Sequence, residues 1–201
     1  SFKIPIVKLS LNNPENLKTE LLELERKYDS IDIVIHNAGL TQSLNKKDYD
    51  EVNFVLSKNL INSFSSDFKS KVKFIYISSL SSVGAGNANN LQPIKEDDLA
   101  KPLTFYGESK LKTEQFIIKQ SNLNWIILRP TAVYGPYERN LFNMINSIKM
   151  GFEIYIGSKE QMLSFIHVYD LANLIIDVCE KNISNEIFNI SDGEAYSAMR
   201  V

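Results

Sequence analysis

The sequence contains little of what disulfide frameworks, metal sites and membrane spans require. One cysteine and two histidines occur among 201 residues, which excludes a disulfide framework and leaves few ligands for zinc. The apolar runs are no longer than strands, which excludes a membrane span. The net charge of −2 gives no broad basic surface for nucleic acid. We therefore expect no metal, no nucleic-acid partner and no membrane partner.

The remaining composition is that of an ordinary globular chain. Hydrophobic residues make up 44% and charged residues 23% of the sequence, and this length supports one well-buried core. The sequence opens with Ser-Phe-Lys, without an initiator methionine or a signal peptide. Together with the single cysteine, this favours a reducing compartment, and we expect a cytoplasmic protein.

Short apolar segments alternate with amphipathic ones along the chain. Strands are predicted over residues 4–9, 31–35, 72–77, 125–128 and 186–190. Helices are predicted over residues 14–28, 49–64, 106–120, 141–150 and 168–179. The three central strands are apolar on both faces, which is typical of parallel strands covered by helices on both sides. The sequence therefore predicts an α/β fold with a doubly wound parallel sheet.

Tyr106 and Lys110 lie four residues apart in one predicted helix, so their side chains share a face. A phenol must lose roughly 3 units from its ordinary pKa of about 10 to act as a base at neutral pH. A neighbouring ammonium contributes to that lowering, because an opposite charge favours the ionised phenol. The spacing alone is weak, because about one such pair is expected by chance. Tyr155 and Lys159 form a second pair, in a segment that predicts a strand or turn.

Small and polar residues follow three of the predicted strands. They are Ser78 to Ser82 after the third strand, His36 to Gly39 after the second, and the Pro130 to Pro136 segment after the fourth. The carboxyl ends of parallel strands meet at one edge of a sheet, where ligands bind. Taken alone, the serine cluster is better explained as a turn, and residues 36–39 are explained equally well as one. Their joint occurrence around the Tyr106 helix predicts a site at this edge.

These segments resemble the extended short-chain dehydrogenase/reductase superfamily, in its branch of NAD-dependent epimerases and dehydratases acting on nucleotide sugars. The similar segments follow the family order across about residues 4–193, and they are residues 34–39, 77–79, 106–110, 129–136 and 165–172. The resemblance implies a Rossmann-like fold, NAD as cofactor with NADP as the alternative, and a homodimer. It implies oxidation of a sugar hydroxyl by hydride transfer, followed by reduction of the ketone.

The resemblance also implies roles for individual residues. Tyr106 would be the acid/base, Lys110 would lower its pKa and bind the nicotinamide ribose, and Ser79 would orient the reacting oxygen. The implied cofactor contacts are Asn37, Ala38, Gly39, Asn53, Ser78, Lys110 and Pro130. The implied substrate contacts are Ser79, Ala132 and Arg139. Two departures bear on the substrate: Ser82-Val83-Gly84 replaces the common Val-Tyr-Gly, and Ala132 stands where sugar epimerases often have Asn.

The glycine-rich turn with which the family begins is absent from this sequence. Residues 4–9 correspond to the family's third strand, so two strands that separate it from residues 31–35 are missing, a gap of roughly 14 Å. We therefore expect this chain to be part of a longer protein whose sheet is incomplete here. Residues 1–136 would form a partial dinucleotide-binding domain. Residues 137–201 would hold part of a small substrate lobe, with a helix and the last strand returning to the sheet.

Two alternatives to a nucleotide-sugar epimerase or dehydratase remain open. One is a reductase of the same superfamily acting on a small ketone or a hydroxysteroid-like substrate. The other is a non-catalytic NAD(P)-binding regulator or an inactive fragment. The joint presence of Ser79, Tyr106 and Lys110 favours an enzyme, because a binding protein needs no acid/base. His36, His167 and Cys179 are interpreted as structural residues.

Overall fold

Helices and strands alternate along the described chain. The computed structural model describes residues 5–28, 30–86, 92–138, 146, 149–151 and 162–197. Its strands are β1 (Ile33–His36), β2 (Lys73–Ile77), β3 (Asn124–Pro130), β4 (Ala132–Tyr134), β5 (Met162–Leu163), β6 (Phe165–His167), β7 (Glu186–Ile190) and β8 (Tyr196–Ser197). Its α-helices are α1 (Pro14–Tyr28), α2 (Lys46–Tyr49), α3 (Leu56–Ser63), α4 (Ser66–Lys71), α5 (Phe105–Ile118) and α6 (Val168–Glu180). A π-helical segment, Asp50–Val55, joins α2 to α3, and a 3-10 turn covers Leu80–Ser82.

The main sheet has four parallel strands in the order β1-β2-β3-β7. Its register places Ile77 opposite Leu128 and Pro130 opposite Ile190. The last strand of this sheet, β7, pairs with β3. The shared direction brings the carboxyl ends of all four strands to one edge, which confirms the predicted parallel α/β class. Two small sheets, β4–β6 and β5–β8, lie outside this main sheet.

Both faces of the main sheet are buried, because successive side chains along a strand point to opposite sides. Phe74 and Tyr76 belong to one core cluster with residues of α1, α3, α4 and α5. Ile75 and Ile77 belong to a second cluster with Leu171 of α6. The run of apolar residues in β2 thus serves two cores at once. This arrangement confirms the doubly wound architecture.

The strand predicted over residues 4–9 is wrong for the described part of that segment. Residues 5–10 have no regular secondary structure, and Ile6 is 98% exposed. A strand is stabilised by hydrogen bonds to a neighbour, and β1 is the edge strand of the described sheet, without a pairing to this segment. The apolar sequence is therefore compatible with a strand but has no partner strand here.

The helices agree better with the sequence pattern. Helix α1 begins at Pro14 after the predicted Asn13 cap, whose Oδ1 accepts a hydrogen bond from the backbone N–H of Asn16 at 3.3 Å. The helix predicted over 49–64 begins three residues earlier, at Lys46, and contains the π-helical segment. The helix predicted over 141–150 falls largely outside the described residues. In the described part of the chain, none of the helices has the length and apolarity to cross a membrane.

Candidate active site

Helix α5 presents Tyr106 and Lys110 on its first turns. Thr104 begins the helix by accepting a hydrogen bond from the backbone N–H of Gly107 at 3.0 Å. Gly107 lies directly against the 3-10 turn, because a Cβ at this position would come within 2.2 Å of the backbone oxygen of Ser81. Glycine at this position therefore lets the Tyr106 helix approach the turn that follows Ser79.

Gly107→Ala is expected to destabilise the protein by at least about 2 kcal/mol, because neither of the two backbones can move away cheaply. Chemical unfolding with urea measures this change. Gly86→Ala is the matched control, since its Cβ would lie 3.4 Å from a flexible Ile94 side-chain atom. Equal unfolding midpoints for the two variants would contradict the close approach.

Ser79 and Tyr106 meet at the carboxyl end of β2. Ser79 begins the 3-10 turn, and its side chain accepts a hydrogen bond from the backbone N–H of Ser81 at 3.2 Å. Burial raises the pKa of the Tyr106 phenol, its hydrogen bond with Ser79 lowers that pKa, and Tyr49 raises it further. Burial is the largest of these effects, so the net direction is upward. The resemblance implies that Lys110 lowers the pKa of Tyr106, and this lowering stays a prediction for the cofactor-bound protein.

Lys110 is a buried cation beside these hydroxyls. The residue is 4% exposed, and its Nζ donates a hydrogen bond to the backbone oxygen of Ile77 at 2.8 Å. The same Nζ lies 4.8 Å from the ring centroid of Tyr76 and 5.8 Å from that of Tyr106. Burial lowers the pKa of Lys110 to about 8, and the charge of Glu114 opposes that lowering. The side chain is therefore mainly protonated at neutral pH.

The loop after β1 lies against Lys110. Residues 37–39 of this loop are exposed, and a Cβ at Gly39 would lie 3.1 Å from Asn53 Oδ1 and 3.4 Å from Lys110 Nζ. Asn53, which is 1% exposed, holds the loop through both backbone groups of Leu40, at 2.7 and 3.0 Å. Its amide also donates to Ser109 at 2.9 Å. The structure thus brings three predicted cofactor residues together, and the side chain of Asn53 supports the loop.

A cleft of about 820 Å³ opens beside Ser79. Pro130 and Ala132 line it, as does Thr104. About half of the lining residues that the structure describes are apolar, and Glu194 is the only charged one among them. A smaller cavity of about 290 Å³ adjoins Tyr106 and also touches Thr104. The predicted residues Ser79, Pro130 and Ala132 therefore share one cleft.

The predicted cofactor contact Ser78 and the predicted substrate contact Arg139 are not among the described residues that line the cleft. Ser78 is 3% exposed, and its hydroxyl donates to Glu114, so that hydroxyl is already engaged on the α5 side of the sheet. Arg139 lies outside the described residues, and so does the second Tyr-x-x-x-Lys pair, Tyr155 and Lys159. The roles assigned to these residues stay predictions.

His36 is buried where β1 ends, 5% exposed, and one ring nitrogen lies 2.7 Å from Ser57 Oγ. Burial, with a smaller contribution from Lys110, lowers its pKa to about 4. The unfolded chain therefore binds more protons than the folded one between about pH 4 and pH 6.5, and stability falls as the pH drops through that range.

We expect His36 to contribute a loss of about 3 kcal/mol of stability between pH 7 and pH 4. The measurement is urea unfolding of the protein and of His36→Gln across this range. The variant lacks this titration, so the stability gap between the two proteins should narrow at low pH. A constant gap would contradict the buried neutral histidine.

Two buried residues of this region escaped the sequence interpretation. Glu114 follows Lys110 by four residues on the same helix face, and Arg129 stands within the buried strand β3. The two form an ion pair of 2.7 Å. A charged residue within an otherwise apolar strand is the signal that indicates such a partner. Among the described residues, no group of three or more potential metal ligands converges.

Comparisons with known proteins agree with this arrangement. The sequence profile of the NAD dependent epimerase/dehydratase family matches residues 4–191. The chain is 28% identical to UDP-glucose 4-epimerase of Vibrio cholerae, covering 95% of this chain and 63% of that protein. It is 29% identical to ADP-L-glycero-D-manno-heptose-6-epimerase of Fusobacterium nucleatum, covering 92% of this chain and 61% of that protein.

A solved structure extends the similarity to three dimensions. UDP-glucuronic acid 4-epimerase from Bacillus cereus in complex with NAD superposes with a TM-score of 0.72 and 26% identity, covering 88% of this chain and 59% of that one. The chain thus spans less than two thirds of the length of these relatives. The profile match over residues 4–191, together with the structural similarity, shows that this chain belongs to the NAD-dependent epimerase/dehydratase family.

Proposed function

We propose that the protein interconverts or dehydrates a nucleotide-diphosphate sugar, with Tyr106 as acid/base, Lys110 as the cation beside it and Ser79 as the hydroxyl that orients the reacting oxygen. The observation that carries this proposal is the joint placement of these three side chains at the carboxyl edge of the sheet. Hydride transfer at a sugar carbon requires a proton acceptor for the hydroxyl, and this group of side chains provides one.

The residues present suit the nicotinamide half of NAD. Lys110 Nζ has three donors, and among the described contacts it uses one, to the Ile77 carbonyl. The exposed loop of residues 37–39 lies beside it, and the absence of a Cβ at Gly39 lets Asn53 and Lys110 approach the loop closely. These residues and Pro130 would hold the nicotinamide ribose and ring. When bound, NAD would accept a hydride from the substrate carbon and return it.

The protein's own groups move the proton. Tyr106 would accept the proton of the substrate hydroxyl as the hydride leaves, and the hydroxyl of Ser79 beside it would donate to the developing ketone oxygen. The cation of Lys110 favours the phenolate form that this step requires. This charge acts against the burial that raises the pKa of Tyr106.

The nucleotide-sugar substrate is supported by the two epimerases to which the chain is about equally similar. The test is incubation of the purified protein and NAD with UDP-glucose, UDP-glucuronic acid and ADP-L-glycero-D-manno-heptose, followed by proton NMR of the anomeric region. A new anomeric signal that Tyr106→Phe does not produce supports the proposal. Binding of NAD without conversion of any of the sugars would favour a non-catalytic binding protein.

The apolar lining of the large cleft favours a second candidate, a superfamily reductase of a small ketone or hydroxysteroid-like substrate. Leu80, Ile94, Met162 and Leu163 all face this cleft, and burial of apolar substrate surface on such side chains is favourable. The same preparation can be offered NADH or NADPH with a cyclic ketone. Consumption of the reduced cofactor with the ketone, and no new anomeric signal with the sugars, would decide for the reductase.

The expected homodimer and the expected cytoplasmic location both stay predictions. The division at residue 136 into a partial dinucleotide-binding domain and a partial substrate lobe is likewise a proposal. Sedimentation of the purified protein at micromolar concentration tests the homodimer directly.

A further inference from the structure

Glu114 is a fully buried carboxylate that is surrounded by donors. The residue is 0% exposed, and its Oε1 accepts hydrogen bonds from the hydroxyls of Ser78 and of Ser82, the latter at 2.7 Å. Arg129 donates to it through Nη2 at 2.7 Å and through Nε at 3.2 Å to each oxygen. Buried carboxylates are costly unless they are paired and hydrogen-bonded in this way.

The donors to Glu114 come from the segments that form the candidate active site. Ser78 immediately precedes Ser79, Ser82 ends the 3-10 turn that Ser79 begins, and Arg129 immediately precedes Pro130. Glu114 itself lies on α5, one turn after Lys110. One carboxylate therefore connects the end of β2, the 3-10 turn and the end of β3 to the helix that carries Tyr106 and Lys110.

The hydrogen bonds continue to the wall of the large cleft. Arg129 Nη1 donates to the backbone oxygen of Glu96 at 3.3 Å. Glu96 in turn accepts a hydrogen bond from the backbone N–H of Asn189 at 2.8 Å, and Asn189 lines the cleft beside Ser79. A displacement of Glu114 would therefore shift both the turn that begins at Ser79 and the cleft wall at Asn189.

The charges around Lys110 make Glu114 the one anion that acts on it among the described neighbours. His36 faces Lys110 from β1 and is neutral, because its pKa is about 4. Tyr76 faces it from β2 and is neutral, because burial raises its pKa. Tyr106 and Glu114 share its helix, and the charge of Glu114 favours the protonated form of Lys110. Arg129 forms an ion pair with this carboxylate.

We propose that Glu114 is a positioning residue of the candidate active site, which holds Ser79 and Pro130 in register with the Tyr106 helix and supplies the negative charge that Lys110 faces. The inference rests on the proposed function in assigning catalytic work to Ser79, Tyr106 and Lys110. The effect of the Glu114 charge on Lys110 is independent of the substrate, so it can be tested on the protein alone. A buried ion pair is by itself poor evidence that a residue stabilises the fold. The test therefore measures the titration of Lys110 rather than stability.

The test is the titration of Lys110, followed by NMR of the side-chain carbons in ¹³C-lysine-labelled protein, with Lys110→Arg to assign the signal. Glu114→Gln should move the midpoint of the Lys110 titration down by about 1 pH unit, because an opposite charge is lost. Glu114→Asp should keep it near the parent value. Ser82→Ala removes a hydrogen bond and retains the carboxylate, so it should lower stability and leave the Lys110 midpoint unchanged. Glu23→Gln on exposed α1 is the matched charge control.

Glu114→Gln leaves Arg129 buried without its partner and can fail to fold. Glu114→Gln/Arg129→Gln removes both charges, and it should move the Lys110 midpoint down by less than Glu114→Gln does, because the attraction of Glu114 and the opposing repulsion of Arg129 are lost together. An unchanged Lys110 midpoint in whichever of these variants folds overturns the inference, even if the protein converts nucleotide sugars.

Activity provides the second readout. If a nucleotide sugar is converted, Glu114→Gln should lower kcat by about 10²-fold with little change in KM, because misplacement of reacting groups affects the chemical step. The alkaline limb of the pH profile should move down together with the Lys110 midpoint. A change confined to KM would contradict the positioning role. Absence of conversion by the parent protein contradicts the proposed function and leaves the NMR titration to decide on Glu114.

Discussion

Tyr106→Phe is expected to lose about 10³-fold of turnover while retaining the fold, since acid–base catalysis by one positioned side chain contributes roughly 10² to 10⁴. The substitution removes the phenolic oxygen and retains the ring, which packs 6.1 Å from the ring of Tyr49 and 5.8 Å from Lys110 Nζ. Ser79 then lies beside a ring that cannot accept or return a proton.

The measurement for Tyr106→Phe is the initial rate of epimer formation with the best sugar of the panel, together with NAD affinity. NAD affinity should change little, because the predicted cofactor contacts do not include the phenol. Tyr28→Phe on α1, which is 40% exposed, is the matched control and should retain the parent rate. A Tyr106→Phe variant as active as Tyr28→Phe would show that the acid/base is another residue.

Lys110→Met is expected to have two opposite effects, a loss of about 10²-fold in turnover and a gain of about 2 kcal/mol in stability at pH 7. The activity is lost because the cation beside Tyr106 is removed. The stability is gained because burial lowers the pKa of Lys110 from 10.5 to about 8, which costs about 3 kcal/mol at neutral pH. Loss of the hydrogen bond to Ile77 returns about 1 kcal/mol of that gain.

The pH dependence of this stability difference follows from the direction of the Lys110 shift. The folded protein releases the Lys110 proton near pH 8, whereas the unfolded chain keeps it to about pH 10.5. The parent therefore gains stability from this group as the pH rises through that range. The advantage of Lys110→Met should be complete below pH 8 and should vanish above pH 10.5. Urea unfolding at pH 7 and at high pH measures it.

Lys119→Met is the matched control for Lys110→Met, because Lys119 is exposed at the end of α5. It should change stability by no more than about 0.5 kcal/mol. A lower stability of Lys110→Met than of this control at pH 7 would contradict the desolvation of Lys110. The parent's activity should also fall above about pH 8, as Lys110 loses its charge.

Local pattern was enough to predict the parts of the fold that depend on burial on both faces. Strands β1, β2, β3 and β7 lie within two residues of their predicted bounds, and α6 agrees to one residue at its end. Continuous apolar runs between amphipathic helices have one stable arrangement, a parallel sheet covered on both sides. The same pattern failed at residues 5–9, because a strand also needs a neighbouring strand and the sequence pattern does not show whether one is there.

The site shows the same division between local and tertiary information. The sequence by itself determined that Tyr106 and Lys110 share a helix face and that polar residues follow three parallel strands, since both facts depend only on helical spacing and chain direction. Only the tertiary structure showed that Gly107 lets this helix lie against the 3-10 turn and that Asn53 holds the loop after β1. It also showed that Glu114 connects the ends of β2 and β3. These contacts join residues far apart in the chain, and their geometry is set by packing, which no local pattern records.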